Sequence, residues 1–336
     1  MVTPDLRSAL QHFDLGEPLD PPVPVAEAWS NEVFRVITGR GDFAVKLFPP
    51  NLSPARRQVL ITAIGFEQQA LASGIGGPAP VLSHDGQILA DLPVGSGVRT
   101  ARCHSWVPGT PASQLVGSDG LAASAGRVLG RLHAKQVPGG DTSQLQGPDQ
   151  DRWEHGVVAS RAAGVPWADE MAAITPLVQR LADQLEVLRQ QRRPMQVSHR
   201  DFDPKNGVVD HDGQLIITDW DYAGPVVAGV ELVTAAASFV RTEGQLGEFA
   251  EAYRAAGGTA DPADELALGI EVAELDWILR NVEAVVAHGL GPATDQYRTA
   301  AELITSFAGE LDDLVSWSRR LGSFLDQLGR GAFRKP

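Results

Sequence analysis

Residues 197–221 read V-S-H-R-D-F-D-P-K-N-G-V-V-D-H-D-G-Q-L-I-I-T-D-W-D, and this stretch decides the fold. Its first half places an aspartate and an asparagine at Asp201 and Asn206. Its second half is an apolar, β-rich run, Leu215–Ile217, which is followed closely by Asp219. A glycine-containing turn separates the halves, so the segment predicts a β-hairpin that gathers Asp201, Asn206 and Asp219 at one edge.

These residue types suit phosphoryl transfer. The reaction concentrates negative charge on a nucleotide, and Mg²⁺, which prefers oxygen ligands, neutralises that charge. Asp219 offers a carboxylate and Asn206 a side-chain carbonyl, while Asp201 can orient a hydroxyl and receive its proton. We expect His199 to hold the loop in shape rather than to react. The alternative is a solvated acidic turn, which the burial demanded by Ile216 and Ile217 argues against.

The motifs also carry a family resemblance. The pattern H-x-D-x-x-x-x-N, the strand ending in Asp219-Trp220-Asp221, and L-x-x-L-H at Leu129–His133 resemble the aminoglycoside phosphotransferase superfamily, which includes choline, homoserine and methylthioribose kinases. The similarity runs from about Ala26 to Leu290. It implies ATP and Mg²⁺ as cofactors, Asp201 as the catalytic residue, and Asn206 and Asp219 as metal ligands.

The same resemblance implies a nucleotide site in the first third of the chain. Lys46 in a β-strand would reach the α- and β-phosphates, and Glu67 on the next helix would fix its direction. The loop that covers the phosphates in relatives has no glycine here, so Ser30 and Asn31 would supply the donors. The segment around Ser105 and Val107 resembles the hinge between lobes, where the Ser105 carbonyl and the Val107 amide would bind adenine.

The resemblance and the distribution of periodic segments predict an α+β, two-lobed, protein-kinase-like fold. We expect a small antiparallel-sheet N-lobe over residues 1–107, including an N-terminal extension, and a larger, mostly helical C-lobe over residues 108–336. The predicted strands are Glu32–Ile37, Asp42–Phe48, Pro80–Asp91 and Arg99–Val107. Helices are predicted from about 53 to 73, 121 to 134, 167 to 191, 231 to 240, 246 to 255, 266 to 287 and 294 to 328, and Pro176 is expected to interrupt the third of these, with Thr175 capping a new helix. Residues 135–150 are expected to form an exposed loop.

The charge of the chain limits the classes of molecule that it is expected to bind. The formal net charge is -14, and residues 151–336 hold 29 acidic and 17 basic side chains, a balance of -12. Such a surface repels nucleic acid and attracts a small cationic molecule, although the acids could also serve solubility alone. No long apolar run predicts a membrane span, and the first 22 residues do not read as a secretory signal. Cys103 is the only cysteine, which fits a cytoplasmic protein.

The acceptor is predicted to be a small, cationic molecule with a hydroxyl group, such as an aminoglycoside-like antibiotic, a basic peptide, an amino-alcohol or a sugar. Asp203, Asp221, Glu274 and Asp276 are the candidates for binding its amine. Asp221 could instead hold the metal loop, and Arg280 with Glu283 reads as a solvated salt-bridged face. The sequence leaves the acceptor, the choice of ATP or GTP, the oligomeric state and a role in resistance or metabolism open.

Three other functional classes would leave different features in the sequence. A protein kinase would carry a long activation segment ending in A-P-E after Asp219, whereas the chain passes within a few residues into a predicted helix. A nucleotide-binding pseudokinase that regulates a partner, or another interaction protein, would have no need for Lys46, Asp201, Asn206 and Asp219 together. The sequence therefore favours an active small-molecule kinase.

Overall fold

The structure is a computed structural model that describes residues 3–25, 31–94, 97–145, 149–262 and 264–332. The chain divides into two compact units. The first comprises Met1–Val116 together with Asp203–Ala223, and the second comprises Gly117–Phe202 together with Gly224–Pro336.

Helices and antiparallel strands alternate along the described residues. The strands are β1 (Val23–Pro24), β2 (Glu32–Thr38), β3 (Gly41–Pro50), β4 (Pro80–Val81), β5 (Leu89–Val94), β6 (Gly97–Ser105), β7 (Thr110–Pro111), β8 (Pro138–Asp141), β9 (Pro194–Ser198), β10 (Gly207–Val209), β11 (Leu215–Ile217) and β12 (Gly224–Val226). The helices are α1 (Pro4–His12), α2 (Pro54–Ala72), α3 (Leu121–Ala134), α4 (Gln150–Ala163), α5 (Ala168–Ala173), α6 (Thr175–Gln191), α7 (Ala228–Phe239), α8 (Glu243–Ala255), α9 (Asp264–His288) and α10 (Asp295–Ala332). No helix in these ranges combines the length and apolarity that a bilayer span requires.

The main sheet of the first unit has the order β1-β2-β3-β6-β4. Strand β5 also pairs with β6, from Leu89 opposite Arg102 to Val94 opposite Gly97, whereas β4 pairs with the end of β6 at Cys103 and His104. The predicted hairpin between β2 and β3 is present, and its turn is held by Thr38, whose hydroxyl accepts a hydrogen bond from the Arg40 amide at 3.0 Å. Strands β3 and β6 are antiparallel neighbours, with Lys46 opposite Arg102. Because side chains alternate across a strand, these two cations share one face of the sheet.

The opposite face of this sheet is covered by α1. Leu6, Leu10 and Phe13 pack into a buried cluster with residues such as Val45 and Cys103. Sequence analysis missed this helix within the N-terminal extension. Its start signal is Thr3-Pro4, in which the Thr3 side chain accepts a hydrogen bond from the Leu6 amide and proline occupies the first helical turn.

A small sheet of the first unit carries the motif residues. Its order is β11-β10-β7, with Gly207 opposite Ile217 in the β10–β11 hairpin. Gly109, beside β7, is required by close packing, because a Cβ there would lie 2.3 Å from the Val209 carbonyl oxygen. The hairpin that was predicted from Asp201 to Asp219 is thus present over β10 and β11, but Asp201 precedes it and belongs to the second unit.

In the second unit, α3 and α8 approach each other closely. A Cβ on Gly126 would lie 2.2 Å from the Phe249 carbonyl oxygen, and one on Gly130 would lie 2.4 Å from that of Tyr253. Only glycine permits this approach, which brings the end of α3, with His133, against α8. A third sheet, with the order β12-β9-β8, lies in the same unit.

Two features of the second unit differ from the sequence expectations. The predicted loop over residues 135–150 contains β8, whose residues pair with β9 despite their two glycines. Helix α4 was not predicted, although Asp149 caps its first turn by accepting from the Arg152 amide. It buries Trp153 and Val157 in a core with Leu279 of α9, and this burial outweighs the weak periodicity of its sequence.

Candidate active site

Lys46 is held between two carboxylates of the first unit. Its Nζ donates to Asp219 Oδ1 at 2.7 Å and to Asp221 Oδ2 at 2.7 Å. The flanking Val45 and Leu47 are fully buried on the other face of β3, so the strand fixes the direction of the lysine. Lys46 and Asp219, the two residues on which the predicted nucleotide site depends, thus lie in direct contact.

Arg102 joins this pair to the helix α2. It lies opposite Lys46 on β6, and its guanidinium donates to Asp221 Oδ1 at 2.7 Å and to Glu67 Oε2 at 2.5 Å. Glu67 also contacts His104 Nε2 at 3.1 Å. Among the described residues, the hydrogen-bond partners of Glu67 are thus Arg102 and His104 rather than Lys46, so the prediction that Glu67 fixes the direction of Lys46 stays a prediction. Glu67 binds Arg102 instead, because a guanidinium fork can bridge two carboxylates.

These contacts shift the ionisation of the buried groups. Burial alone would lower the pKa of Lys46, but attraction to Asp221 and Asp219 outweighs it and raises the pKa. Burial would raise the pKa of Glu67, but its bond to His104 and its pairing with Arg102 lower it. Asp221 is wholly buried, and Lys46 and Arg102 hold its pKa well below the usual range. Lys46, Arg102, Glu67 and Asp221 are therefore charged at neutral pH, whereas burial lowers the pKa of His104.

The cluster as a whole keeps an excess of negative charge. Three carboxylates (Glu67, Asp219 and Asp221) face two cations (Lys46 and Arg102), which leaves one negative charge uncompensated. Asp221 is 1% exposed, whereas Asp219 is 36% exposed. Asp219 is therefore the carboxylate of the cluster that is accessible to a cation from solution.

The β10–β11 hairpin brings the backbone of Asn206 next to the residue before this accessible carboxylate. The Asn206 backbone carbonyl accepts from the Thr218 amide at 2.8 Å, one residue before Asp219. Asp219 itself has a left-handed backbone conformation, with φ at 56°, which aspartate tolerates better than most residues. Its neighbour Trp220 is anchored in the interior, with Nε1 donating to the Ile217 carbonyl at 3.1 Å. An amide oxygen and a carboxylate oxygen make a donor set that suits Mg²⁺.

The predicted hinge has an unusual hydrogen-bond pattern. Ser105 N–H donates to the Ala79 carbonyl at 2.9 Å, but the Ala79 amide donates to the Ser105 hydroxyl, at 3.0 Å. The hydroxyl thus takes the place that the Ser105 carbonyl would occupy in a regular ladder. Next to it, the Arg35 guanidinium lies 4.8 Å from the ring centroid of Trp106.

A cavity of about 320 Å³ adjoins this segment in the first unit. Neither Lys46 nor Asp219 lines it. The residues that do are Gly77, Pro78, Ser105, Trp106, Val107, Pro108, Asp210, His211, Asp212 and Ile216.

Asp201 lies in the second unit, in the loop that follows β9. The preceding residue, Arg200, has a φ of 66°, and its amide donates to Glu231 Oε1 at 2.5 Å. The other oxygen of Glu231 accepts from His133 Nε2 at 2.8 Å, and His133 Nδ1 lies 2.8 Å from the Tyr253 hydroxyl. Side chains from α3, α7 and α8 therefore fix the backbone immediately before Asp201.

Aromatic side chains pack against the loop that contains Asp201. His199 is fully buried and meets the ring of Phe202 edge-on at 6.1 Å, and Phe202 lies 5.4 Å from Phe239 of α7. This environment supports a structural role for His199.

Sequence analysis missed three side chains of these networks. Arg102 and His104 alternate with the buried Ala101 and Cys103 on β6, and this period of two was the signal that could have placed them on the Lys46 face. Glu231 follows the motif by ten residues on a predicted helix. No local pattern distinguished it from an ordinary helix acid.

Two of the residues predicted to bind the acceptor, Asp221 and Asp276, are already paired with cationic side chains. Asp221 is buried between Lys46 and Arg102, so its carboxylate does not fit contact with an acceptor amine. Asp276 is bound by Arg152 at 2.6 Å and by Arg280, and Arg152 also binds Glu283 at 2.5 Å. These arginines neutralise the acidic face of α9, so Asp276 does not fit that role either.

The other predicted contacts have these positions. Asp203 caps a 3₁₀ turn, accepting from the Lys205 amide at 2.9 Å. Asn31 is half-buried at the start of the residues that lead into β2. Ser30 and the Glu274 side chain lie outside the described residues.

Comparison with known proteins identifies the fold and the family. A model of the phosphotransferase enzyme family matches residues 23–268, whereas no curated protein matches the chain. An amicoumacin kinase solved with AMP-PNP, Ca²⁺ and Ami is 17% identical, with a TM-score of 0.61 over 91% of this chain and 94% of that one. A choline/ethanolamine kinase family protein from Mesorhizobium loti is 18% identical, with a TM-score of 0.56 over 96% and 98%.

A spectinomycin phosphotransferase solved with ADP and spectinomycin is 12% identical, with a TM-score of 0.56 over 89% of this chain and 92% of that one. At these identities the structures speak for the fold, and they confirm the predicted α+β, protein-kinase-like fold. The family match covers well over half of the sequence. The chain therefore belongs to the phosphotransferase enzyme family and is a small-molecule kinase.

Proposed function

We propose that this protein transfers the γ-phosphoryl group of ATP, with Mg²⁺, to a hydroxyl of a small cationic molecule. The observation that carries the proposal is the 2.7 Å contact between Lys46 Nζ and Asp219 Oδ1. It places a cation suited to phosphate next to an accessible carboxylate suited to a metal ion. The Asn206–Asp219 hairpin adds a second oxygen donor.

Each motif residue has a distinct part in this proposal. Lys46 binds the α- and β-phosphates, and Asn206 and Asp219 hold the metal ion. A bound Mg²⁺ supplies electrostatic stabilisation of the charge that develops on the transferred group. Asp201 orients the acceptor hydroxyl and receives its proton. Ser30 and Asn31 donate to the phosphates.

Glu67 acts on Lys46 through two intermediates. Glu67 holds Arg102, Arg102 holds Asp221, and Asp221 holds Lys46. We propose that this chain of ion pairs keeps the ammonium group in place when phosphate replaces Asp219 as its partner. Asp221, predicted as an acceptor contact, thus takes a positioning role.

Adenine is proposed to bind the hinge backbone. The Ala79 amide donates its hydrogen bond to the Ser105 hydroxyl, and the Ser105 carbonyl is therefore proposed to accept from the adenine amino group. The Val107 amide, two residues on, would donate to the ring. This pairing depends on backbone groups and is therefore insensitive to most side-chain substitutions.

A cationic acceptor is supported by charge and by the kinds of substrate named for similar structures. Residues 151–336 have a balance of -12, and the structures similar in fold include kinases of choline or ethanolamine and of aminopropanol. Asp276 and Asp221 are already neutralised, so Asp203 and Glu274 remain the candidate amine contacts. A cytoplasmic location, where ATP is available, fits the single cysteine of the sequence.

The test is product formation. The purified protein is incubated with ATP, Mg²⁺ and a panel of aminoglycosides, amino-alcohols, basic peptides and neutral sugars, and the products are analysed by mass spectrometry. We expect a gain of one phosphoryl group on an amine-bearing member and matching ADP formation. We expect Asp201→Asn to reduce turnover by about 10²–10⁴-fold without loss of ATP binding.

The control variant is Asp183→Asn, which alters an exposed aspartate of α6 outside the proposed site and should keep full turnover. Full turnover in Asp201→Asn would remove Asp201 from the mechanism. Phosphorylation of neutral sugars alone would contradict the cationic acceptor.

A further inference from the structure

Three metal-ligating side chains meet at a point that phosphoryl transfer does not use. A ring nitrogen of His12, a ring nitrogen of His84 and a carboxylate oxygen of Asp85 all lie within 4.8 Å of one another. His12 is the last residue of α1, and His84 and Asp85 lie in the connection between β4 and β5. All three belong to the first unit.

The ring of His84 is oriented in the way that metal-binding histidines require. Its Nδ1 lies 3.0 Å from the His12 carbonyl oxygen, which also accepts from the His84 amide at 2.9 Å. Because a carbonyl oxygen only accepts, Nδ1 carries the proton and the lone pair of Nε2 is left for a ligand. Metal-ligating histidines nearly always hold the second ring N–H on a carbonyl or carboxylate in this way.

The neighbouring groups complete the arrangement. Asp85 Oδ1 accepts from the Ser83 hydroxyl, so the direction of the carboxylate is set while Oδ2 remains for a cation. The rings of His12 and His84 meet edge-on, with centroids 4.4 Å apart. His84 and Asp85 are exposed and His12 is half-buried, so an ion reaches the group directly from solvent.

We propose that His12, His84 and Asp85 form a site for Zn²⁺ or a similar first-row transition metal, with water as the fourth ligand. Two imidazoles and one carboxylate suit such metals, whereas Mg²⁺ and Ca²⁺ prefer oxygen ligands. Ligand atoms about 2.0–2.1 Å from a tetrahedral zinc ion lie about 3.3 Å apart. Side-chain rotation at this half-exposed position brings the three atoms from their present separation to that distance.

The metal would fasten one end of α1. At the other end of the helix, Asp5 binds Arg99 at 2.7 Å. Between the two points, the buried side chains of α1 pack on the sheet that carries Lys46. The proposed ion is therefore structural and separate from the oxygen site of Asn206 and Asp219. Its effect is on the stability of the first unit, and the inference stands whether or not the proposed reaction is correct.

The test measures metal binding rather than activity. Full-length, untagged, metal-stripped protein is titrated with Zn²⁺ by calorimetry, in excess Mg²⁺ and without nucleotide, and melting curves are recorded with and without Zn²⁺. We expect one zinc ion per chain, a rise in Tm, and a tetrahedral visible spectrum when Co²⁺ replaces Zn²⁺. His12→Gln, His84→Gln and Asp85→Asn should each weaken zinc binding by roughly 10–100-fold or more.

The matched control is His155→Gln. This exposed histidine also lies with Nδ1 near a backbone carbonyl, that of Asp151 at 2.7 Å, but it is not part of the three-residue group. Its variant should bind zinc like the wild type. Because His84→Gln also removes the bond to the His12 carbonyl, the zinc-induced change in Tm is compared, not the Tm itself. Equal zinc affinity in His12→Gln, His84→Gln and the wild type would overturn the proposal, as would displacement of zinc by Mg²⁺.

Discussion

At the scale of single residues, Arg102 is the side chain on which the site geometry depends most. It is 1% exposed and holds two buried carboxylates, Glu67 and Asp221, which without it would keep only His104 and Lys46 as partners. A buried ion pair contributes little against an apolar replacement, but removing one partner leaves an uncompensated buried charge. Loss of Arg102 is therefore expected to destabilise the fold, because Glu67 and Asp221 would each lose a cationic partner while remaining buried.

The first prediction concerns Arg102→Met. We expect the variant to lose about 3–5 kcal/mol of unfolding free energy, measured by urea denaturation. We also expect a raised KM for ATP, because Asp221, no longer bound by Arg102, holds Lys46 less firmly. The control is Arg57→Gln, which breaks an exposed ion pair with Asp91 and should cost about 0–1 kcal/mol. Equal losses in the two variants would refute the bridging role of Arg102.

The second prediction concerns Glu67 and pH. The folded pKa of Glu67 lies below its ordinary value of 4.5, so the folded state binds fewer protons than the unfolded state in the acid range. The stabilisation is complete above pH 4.5 and is lost as the pH falls through the folded pKa. Glu67→Gln should be less stable at pH 7 but should lose less further stability below pH 4.5. Parallel curves of unfolding free energy against pH for the two proteins would contradict the assignment.

At the scale of elements, the contact between α3 and α8 helps to fix the backbone conformation of the loop that contains Asp201. Gly126 and Gly130 let the helices approach until His133 reaches both Tyr253 and Glu231. Glu231 in turn holds the Arg200 amide, next to Asp201. Three hydrogen bonds, from Tyr253 through His133 and Glu231, thus connect these helices to the backbone next to the proposed catalytic residue.

The third prediction follows from this packing. Gly126→Ala would place a Cβ against the Phe249 carbonyl oxygen, so the helices must separate, at a cost of about 1–3 kcal/mol. Turnover should fall as well, because His133, which binds Glu231 next to the catalytic loop, is drawn away from its other partner, Tyr253 of α8. Thermal melting and steady-state kinetics measure the two effects.

The control for this prediction is Gly65→Ala in α2. A Cβ at Gly65 meets nothing within 4 Å, so this variant should gain about 0.5–1 kcal/mol from reduced backbone entropy. A destabilised Gly65→Ala, or an unchanged Gly126→Ala, would show that helix contact is not the deciding factor.

At the scale of the whole molecule, local sequence patterns were sufficient for most elements and for the motif residues. The β2–β3 hairpin, the helix after Ser53 and the β10–β11 hairpin were predictable because their turn, cap and periodicity signals lie within a few residues. The proximity of Lys46 to Asp219 was predictable only through the family resemblance, since 173 residues separate them.

The remainder depends on tertiary contacts that no local signal encodes. Arg102 and Asp221 are 119 positions apart, and nothing near either residue specifies the other. Asp276 was expected to be available for a substrate because its partner Arg152 lies on α4, a helix that sequence analysis missed. Ion-pair partners across elements are therefore the part of the site that required the structure.

The most direct test of the central claim is a calorimetric titration of ATP, with and without Mg²⁺, into wild-type protein, Lys46→Met and Asp219→Asn. If Lys46 binds phosphate and Asp219 holds the metal, Mg²⁺ should strengthen ATP binding to the wild type. Asp219→Asn should lose that increase, and Lys46→Met should weaken binding under both conditions. An undiminished Mg²⁺ effect in Asp219→Asn, with wild-type affinity in Lys46→Met, would contradict the account.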